Sequence, residues 1–387
     1  MAKVIEKKVG VIILLENEKA IRDTFVNLFE DLDIKLKLIE CSTPEEYVKS
    51  LQLSKKNNDL RGIIIDLSNT PQEEDTKKYK AADYINQEFE INRIPIFIHS
   101  GNLEHYLELN DKGTVFKTPK EKGSAENICQ LLKKMADSGF LNIFCLGGEL
   151  EKTLMDEVHK TFVEQFKGKE IESIIDSISN SNSENTITRT NEVFKRIAIR
   201  NVFENWNSAR DSGAEGIKEV QLNTIEHYYR RTSAFDFWTG DIYKSKSEDK
   251  CVLLTPRCNV GHQNFDELLL CRIQVITEQK LKELTGRNGE EKLRKNITDH
   301  EIVGERYRFL PPTPQFSGGL VDFKTVFTLP PKNFLKDWER EITLSNELTN
   351  DVVRKFAAYT LRGGISETEF KEAHHYVKSL LPNDETN

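Results

Sequence analysis

Four short apolar runs, each closing on a polar residue, constrain this chain more than any other feature. They are VGVIILL (9–15) before Glu16-Asn17, GIII (62–65) before Asp66, IPIFIH (94–99) before Ser100, and GTVF (113–116) before Lys117. A run that is apolar throughout suits a strand covered on both faces, as in a parallel sheet flanked by helices. The intervening segments have helical spacing: Ala20, Ile21, Phe25, Leu28 and Phe29 recur along one stripe. IKLKLIE (34–40) alternates apolar and polar residues and suits an edge strand. Thr43-Pro44-Glu45-Glu46 is a helix start: a capping hydroxyl, a proline in the first turn, then acids at the positive end of the helix dipole. A further helix is expected at about 124–137. Five strands separated by helices predict a doubly wound parallel α/β sheet over residues 1–140.

In such sheets ligands bind at the carboxyl ends of the strands, where the order of winding reverses. Glu16 and Asn17 follow the first strand, Asp66 ends the third, Ser100 follows the fourth and Lys117 ends the fifth. Taken singly, each is an ordinary polar residue closing a strand. Taken together, they set a carboxylate, an amide, a second carboxylate, a hydroxyl and an ammonium around one spot. That set suits phosphoryl transfer to Asp66. Mg2+ on Glu16, Asn17 and Asp66 would remove the repulsion between carboxylate and phosphoryl donor. Ser100 and Lys117 would hold the other oxygens of the transferred group.

The stretches LLENEKAIRD, GIIIDLS, IPIFIHSG and VFKTP resemble the receiver domain of bacterial response regulators over residues 9–138. The resemblance implies a flavodoxin-like sheet with Asp66 as phosphoacceptor and Glu16 as an acidic metal ligand. It puts Asn17 at the second acidic position, Ser100 as switch hydroxyl and Lys117 as the phosphate-binding lysine. Asn17 stands where receivers carry a carboxylate, which predicts a weakened Mg2+ site, since affinity follows ligand charge. Thr118 separates Lys117 from Pro119, and Thr114 occupies the usual place of the switch aromatic. Two readings follow: a phosphorylatable receiver, and a pseudo-receiver used for docking.

Composition narrows the classes that remain. The 387 residues are 37% hydrophobic and 30% charged, and no apolar run approaches the ~20 residues of a membrane helix, which predicts a soluble, cytoplasmic chain. The basic-then-apolar start runs straight into a helix pattern and reads as a first strand rather than a signal peptide. Six scattered cysteines without a CxxC pair predict reduced thiols. Residues 1–180 carry 25 Lys and Arg against 32 Asp and Glu; residues 181–387 carry 30 against 31. A broad phosphate-backbone surface is therefore disfavoured in the first part and left open in the second.

Beyond the sheet, residues 141–210 read as a helical connector. Its helix begins after Gly147-Gly148 and carries Leu150, Leu154, Val158, Phe162 and Phe166 on one stripe. Core packing is the first reading of that stripe and a dimer or partner seam the second. SISNSNSENTITRTN (177–191) reads as a linker, and 194–206 as helix again. Residues 211–387 predict an α+β unit with a β-rich core: a hairpin around SKSED, strands at 267–276 and 318–330, and helices near 346–361 and 366–381. TEQKLKELTGRNGEEKLRKN (277–296) reads as a charged helical insertion or loop.

Cys251, Cys258, His262 and Cys271 fit no standard zinc spacing, and a structural turn is the default for the Cys258/His262 pair. HYYRRTSAFDFW (227–238) interleaves aromatics with Arg230 and Arg231, a pattern that can hold single-stranded nucleic acid and more often forms a satellite core. YRFLPPTPQFSGGLVDF followed by YTLRGGIS is similar to an uncharacterised bacterial domain class associated with two-component-like anti-phage systems. The expectation is a non-enzymatic signalling protein in a phosphorelay, possessing a receiver-like module and an output or interaction unit. Its partners would be a histidine kinase or phosphotransfer protein and a second copy of the chain. The alternative is a pseudo-receiver scaffold, or an effector whose C-terminal β-rich part binds RNA or other nucleic acid.

Overall fold

The computed structural model describes residues 10–66, 93–101, 103, 114–165, 168–179, 186–211, 222–232, 235–279, 282, 289, 291, 306–361 and 370–379. It divides into two compact units, Met1–Gly216 and Ile217–Asn387.

The first unit holds five parallel strands: β1 (Val11–Leu15), β2 (Lys37–Cys41), β3 (Leu60–Ile65), β4 (Ile96–Ser100) and β5 (Val115–Pro119). Their order is β2-β1-β3-β4-β5, the doubly wound order of the flavodoxin-like class. Successive side chains on a strand point to opposite faces, so each buried strand feeds two cores. Ile13, Leu15, Ile63, Ile65, Ile96 and Ile98 meet Tyr47 and Leu51 of α2 (Pro44–Asn57). Ile12, Leu14, Ile64 and Phe97 meet Phe25 and Phe29 of α1 (Lys19–Asp31), and Ile128 and Leu132 of α3 (Ser124–Asp137). β2 is the half-exposed edge that its alternation predicts. Thr43 caps α2 as read from sequence, its Oγ1 accepting from the Glu46 N–H at 3.3 Å. Asn58 ends that helix in the left-handed region at φ 55°.

The first unit continues through α4 (Phe140–Ile143), α5 (Glu149–Gln165), α6 (Gly168–Ser179) and α7 (Thr186–Asp211). Leu141 and Cys145 are buried, Cys145 in the same core as β1 and β3. Two expectations change here. Both ends of the 177–191 stretch are helical, in α6 and α7, and its middle, 180–185, lies outside the described residues. The apolar stripe of α5 is not a core: Val158 is 38% and Phe162 61% exposed, while Phe166 lies outside the described residues. α5 meets α7, where Asn205 donates to Glu157 at 3.3 Å.

The second unit is a seven-stranded antiparallel sheet in the order β10-β11-β9-β8-β7-β12-β6. The strands are β6 (Tyr228–Tyr229), β7 (Asp241–Ser245), β8 (Lys250–Leu253), β9 (Leu268–Gln274), β10 (Tyr307–Leu310), β11 (Gly319–Leu329) and β12 (Trp338–Leu344). The β7–β8 hairpin turns around the predicted SKSED. One face packs on Leu348 and Val352 of a helix, Asn346–Thr360. The other packs on Phe334 and on Val260 of a short helix, Arg257–Gly261. A last helix spans Phe370–Ser379. Most of the charged 277–296 stretch lies outside the described residues. Among the described residues no helix is long and apolar enough to cross a membrane.

Candidate functional site

In the order β2-β1-β3-β4-β5 the winding reverses between β1 and β3, and the carboxyl ends of those two strands carry Glu16 and Asp66. The Asp66 N–H donates to the Leu15 carbonyl at 2.9 Å, which holds the two strand ends level. Both carboxylates are buried, each 1% exposed. Between them lies one ammonium: Lys120 Nζ is 2.8 Å from Asp66 Oδ2 and 2.8 Å from Glu16 Oε2. Glu18, on the rim, is 3.9 Å from the same nitrogen.

The lysine in this pocket is Lys120, not Lys117 as the resemblance implies. The register of β5 explains the change. Ser100 pairs with Pro119, so the strand runs past Lys117 and places it level with Ile98, inside the ladder. The chain leaves the sheet only after Pro119, and the Lys120 N–H donates to the Ser100 carbonyl at 3.1 Å. Lys117 instead lines a cavity of about 410 Å³ with Phe97, Val115, Phe116 and Leu131. Ser100 is fully buried at the carboxyl end of β4.

Asn17 also departs from expectation. It is exposed, and Arg22 Nη1 donates to its backbone carbonyl at 2.8 Å and to that of Glu16 at 2.7 Å. The Glu16 side chain is turned inward and accepts from the Glu18 N–H at 3.1 Å. The site therefore has two converging carboxylates rather than a three-ligand set. Among the described residues no group of three or more His, Cys, Asp or Glu could hold a metal.

Burial pushes the Glu16 carboxyl above its ordinary value, against the hydrogen bond and charge of Lys120, which pull it down. Burial works against the Lys120 ammonium too, but the hydrogen bonds and charges of Asp66 and Glu16 outweigh it and hold its pKa above the lysine norm. The buried hard oxygens of Glu16 and Asp66 are the donors Mg2+ favours, yet Lys120 already offsets one of their two charges. The donor set thus fits Mg2+ in competition with Lys120.

Next to the triad lies a residue that reading the sequence did not single out. His99 is 4% exposed, edge-on to Phe25, with Nε2 2.8 Å from Ser124 Oγ. The Ser124 hydroxyl already donates to the Glu121 carbonyl at 2.7 Å, so the imidazole donates from Nε2. Nδ1 is then a bare acceptor, buried and without a hydrogen bond. Burial, with the Lys120 charge added, pushes the His99 pKa down to about 4, against the opposing pull of Asp66.

In the second unit, Cys251 and Cys271 are buried strand thiols, and burial pushes Cys271 up to about 12. Cys258 is exposed on the short helix 257–261, where the His262 N–H closes the turn on its carbonyl at 3.0 Å.

No family model and no curated protein matches the chain. Solved structures similar to its N-terminal third include a CheY-like receiver domain protein from Methanospirillum hungatei JF-1, at 14% identity and a TM-score of 0.25, covering 34% of this chain and 99% of that one. A receiver domain protein from Clostridium thermocellum matches at 15% identity and a TM-score of 0.26, covering 35% and 100%. The receiver domain of a Luxo repressor protein from Vibrio parahaemolyticus matches at 16% identity and 0.25, covering 34% and 96%. The fold assignment rests on the strand order of this chain rather than on these likenesses.

Proposed function

We propose that the first unit works as a signalling receiver that accepts a phosphoryl group on Asp66. The observation that carries this reading is the convergence of Asp66, Glu16 and Lys120 at the point where the winding of a receiver-ordered sheet reverses. Asp66 supplies the nucleophilic oxygen. Lys120 lies within hydrogen-bond reach of that carboxylate and can follow the charge onto the phosphoryl oxygens, while Ser100 closes the end of β4 beside it. Glu16 and Asp66 would hold Mg2+, which when bound neutralises the incoming phosphoryl group. The partner on this reading is a histidine kinase or phosphotransfer protein, which supplies the phosphoryl group. An anti-phage setting rests on the second resemblance alone.

Exposed apolar side chains on α5, Met155 and Val163 at 61% and 60% exposed, support a second copy of the chain as a further partner. The pseudo-receiver reading draws on the same ion triad: a pocket whose two carboxylates already share a lysine of the chain has a counterion without any ligand.

The decisive experiment incubates the full chain with acetyl phosphate and Mg2+ and weighs it intact. One phosphoryl adduct is expected on the wild type and none on Asp66→Ala. An adduct at full level in the variant, or none on the wild type, overturns the assignment in favour of a docking role.

A further inference from the structure

The second unit contains a cluster of cations with one carboxylate among them. Arg231, just past β6, clasps Asp241 with both arms of its fork, Nε to Oδ1 at 3.2 Å and Nη2 to Oδ2 at 2.8 Å. Asp241 is fully buried and also accepts from the Trp238 N–H at 2.8 Å, Tyr243 Oη at 3.2 Å and Thr343 Oγ1 at 2.7 Å. Its oxygens are saturated. The third nitrogen of the fork, Arg231 Nη1, is buried and makes no hydrogen bond, on a side chain only 6% exposed. A buried donor left unpaired is uncommon in a folded protein and calls for an explanation.

A second guanidinium shares the patch, and the charge of a third, Arg257, reaches Tyr229. Arg340 is held loosely, with Nη1 3.8 Å from Asp241 Oδ2 and Nη2 3.5 Å from the Arg231 carbonyl. Tyr229 feels the charges of Arg231, Arg257 and Arg340, and Asp241 is the one carboxylate acting on it. Three positive charges thus face one negative charge. Aromatic surface adjoins them. Tyr229 is 41% exposed, and Phe235, 44% exposed, stacks on Trp238 with ring centres 6.0 Å apart. Trp238 is tied to the cluster by its own N–H on Asp241.

We propose that this patch binds a nucleotide unit: its phosphate on Arg340, Arg257 and the spare Nη1 of Arg231, its base on Tyr229 or Phe235. Planar guanidiniums match phosphate oxygens in geometry as well as charge, and aromatic faces take bases of any sequence. Asp241 is the positioning residue that aims Arg231. Arg340, with the longest contacts, is the member that moves to let an oxygen reach Nη1. Of the acids near it in sequence, Glu341 pairs with Lys250 at 2.8 Å and Asp337 with Lys246 at 3.4 Å, while Asp236 and Glu339 are exposed. The same chemistry could come from a free nucleotide or from a single strand, and the test separates them.

The experiment uses the full chain and measures anisotropy of a labelled single-stranded RNA oligonucleotide, with AMP and inorganic phosphate as competitors. The test variant is Arg257→Gln/Arg340→Gln, whose side chains lie on the surface and whose loss leaves the Arg231–Asp241 clasp intact. Arg354→Gln, on the helix against the opposite face of the sheet, is the control. Binding by wild type and control is expected, with roughly tenfold or greater weakening in the double variant and a salt slope smaller by about two phosphate contacts. Tyr229→Ala should weaken binding by roughly tenfold through lost stacking. Strand binding that AMP does not displace assigns the site to single-stranded nucleic acid; displacement by AMP at comparable concentration assigns it to free nucleotides. Absence of wild-type binding, equal binding by the double variant, or equal displacement by inorganic phosphate alone overturns the proposal.

Discussion

Asp66 in the first unit and Asp241 in the second are both buried aspartates, 1% and 0% exposed, each paired with a cation. Their surroundings differ in kind. Asp66 shares a single lysine nitrogen with Glu16. Asp241 is gripped by a two-armed arginine, a backbone N–H and two hydroxyls. An ammonium on a flexible stem is a point charge that another cation or a phosphoryl group can replace. A bidentate guanidinium in a closed hydrogen-bond network is not replaceable at similar cost. Burial of a carboxylate alone therefore does not mark a reactive group. On the proposed function, what sets Asp66 apart is a counterion shared with a second carboxylate on a flexible stem.

The sharpest way to break this comparison is to neutralise both aspartates in turn. Asp241→Asn should destabilise the second unit by about 3–5 kcal/mol, because it strands the buried Arg231 charge. Asp66→Asn leaves Lys120 paired with Glu16 and should cost about 1 kcal/mol or less. Urea unfolding of the full chain, followed by tryptophan fluorescence, reads both; similar losses for the two variants would erase the distinction.

Lys120→Met comes next in size. It leaves two buried carboxylates without their cation and should cost about 2 kcal/mol in metal-free buffer. Mg2+ should restore much of that loss in the variant and add little to the wild type. Thermal melts across a Mg2+ titration check this, and equal responses would mean that Lys120 does not occupy the metal's place.

The pH dependence of the first unit should follow His99. Its folded pKa, about 4, lies below the ordinary histidine value, so the neutral ring is favoured by folding. The contribution is complete above about pH 6.5 and is lost as pH falls toward 4, at no more than about 1.4 kcal/mol per pH unit. Replacing His99 with Gln should flatten that limb of the stability curve. The smallest effect belongs to Asn17→Asp. From sequence this change should strengthen Mg2+ binding, but with Asn17 exposed it should alter metal-free stability by less than about 0.5 kcal/mol. A larger shift would place the side chain nearer the triad than its exposure indicates.

The parallel sheet was legible because VIILL, GIII and IFIH are apolar on both faces, a pattern that few other settings tolerate. Glu16 and Asp66 were legible because strand ends at a winding reversal form the crevice of such a sheet. Lys120 was not. VFKTPK offers two lysines three residues apart, and only the pairing of Ser100 with Pro119 shows which one leaves the strand at the level of Asp66. Asn17 was misplaced for a related reason: the backbone turn pinned by Arg22 sends Glu16 inward and leaves its neighbour outside.

The α5 stripe repeats the lesson. Helical spacing shows that Leu154, Val158 and Phe162 share a face, but what covers that face depends on which helix packs where. HYYRRTSAFDFW named Arg231 and the aromatics, yet neither Arg257 and Arg340 nor the carboxylate, ten residues beyond Arg231, that aims it. Hydrophobic periodicity is a local property of a chain, so the sequence by itself determined the five strands of the first unit and the two carboxylates at the ends of β1 and β3. Register, helix pairing and the choice among neighbouring charged side chains depend on contacts between residues distant in sequence, and only the tertiary structure decided them.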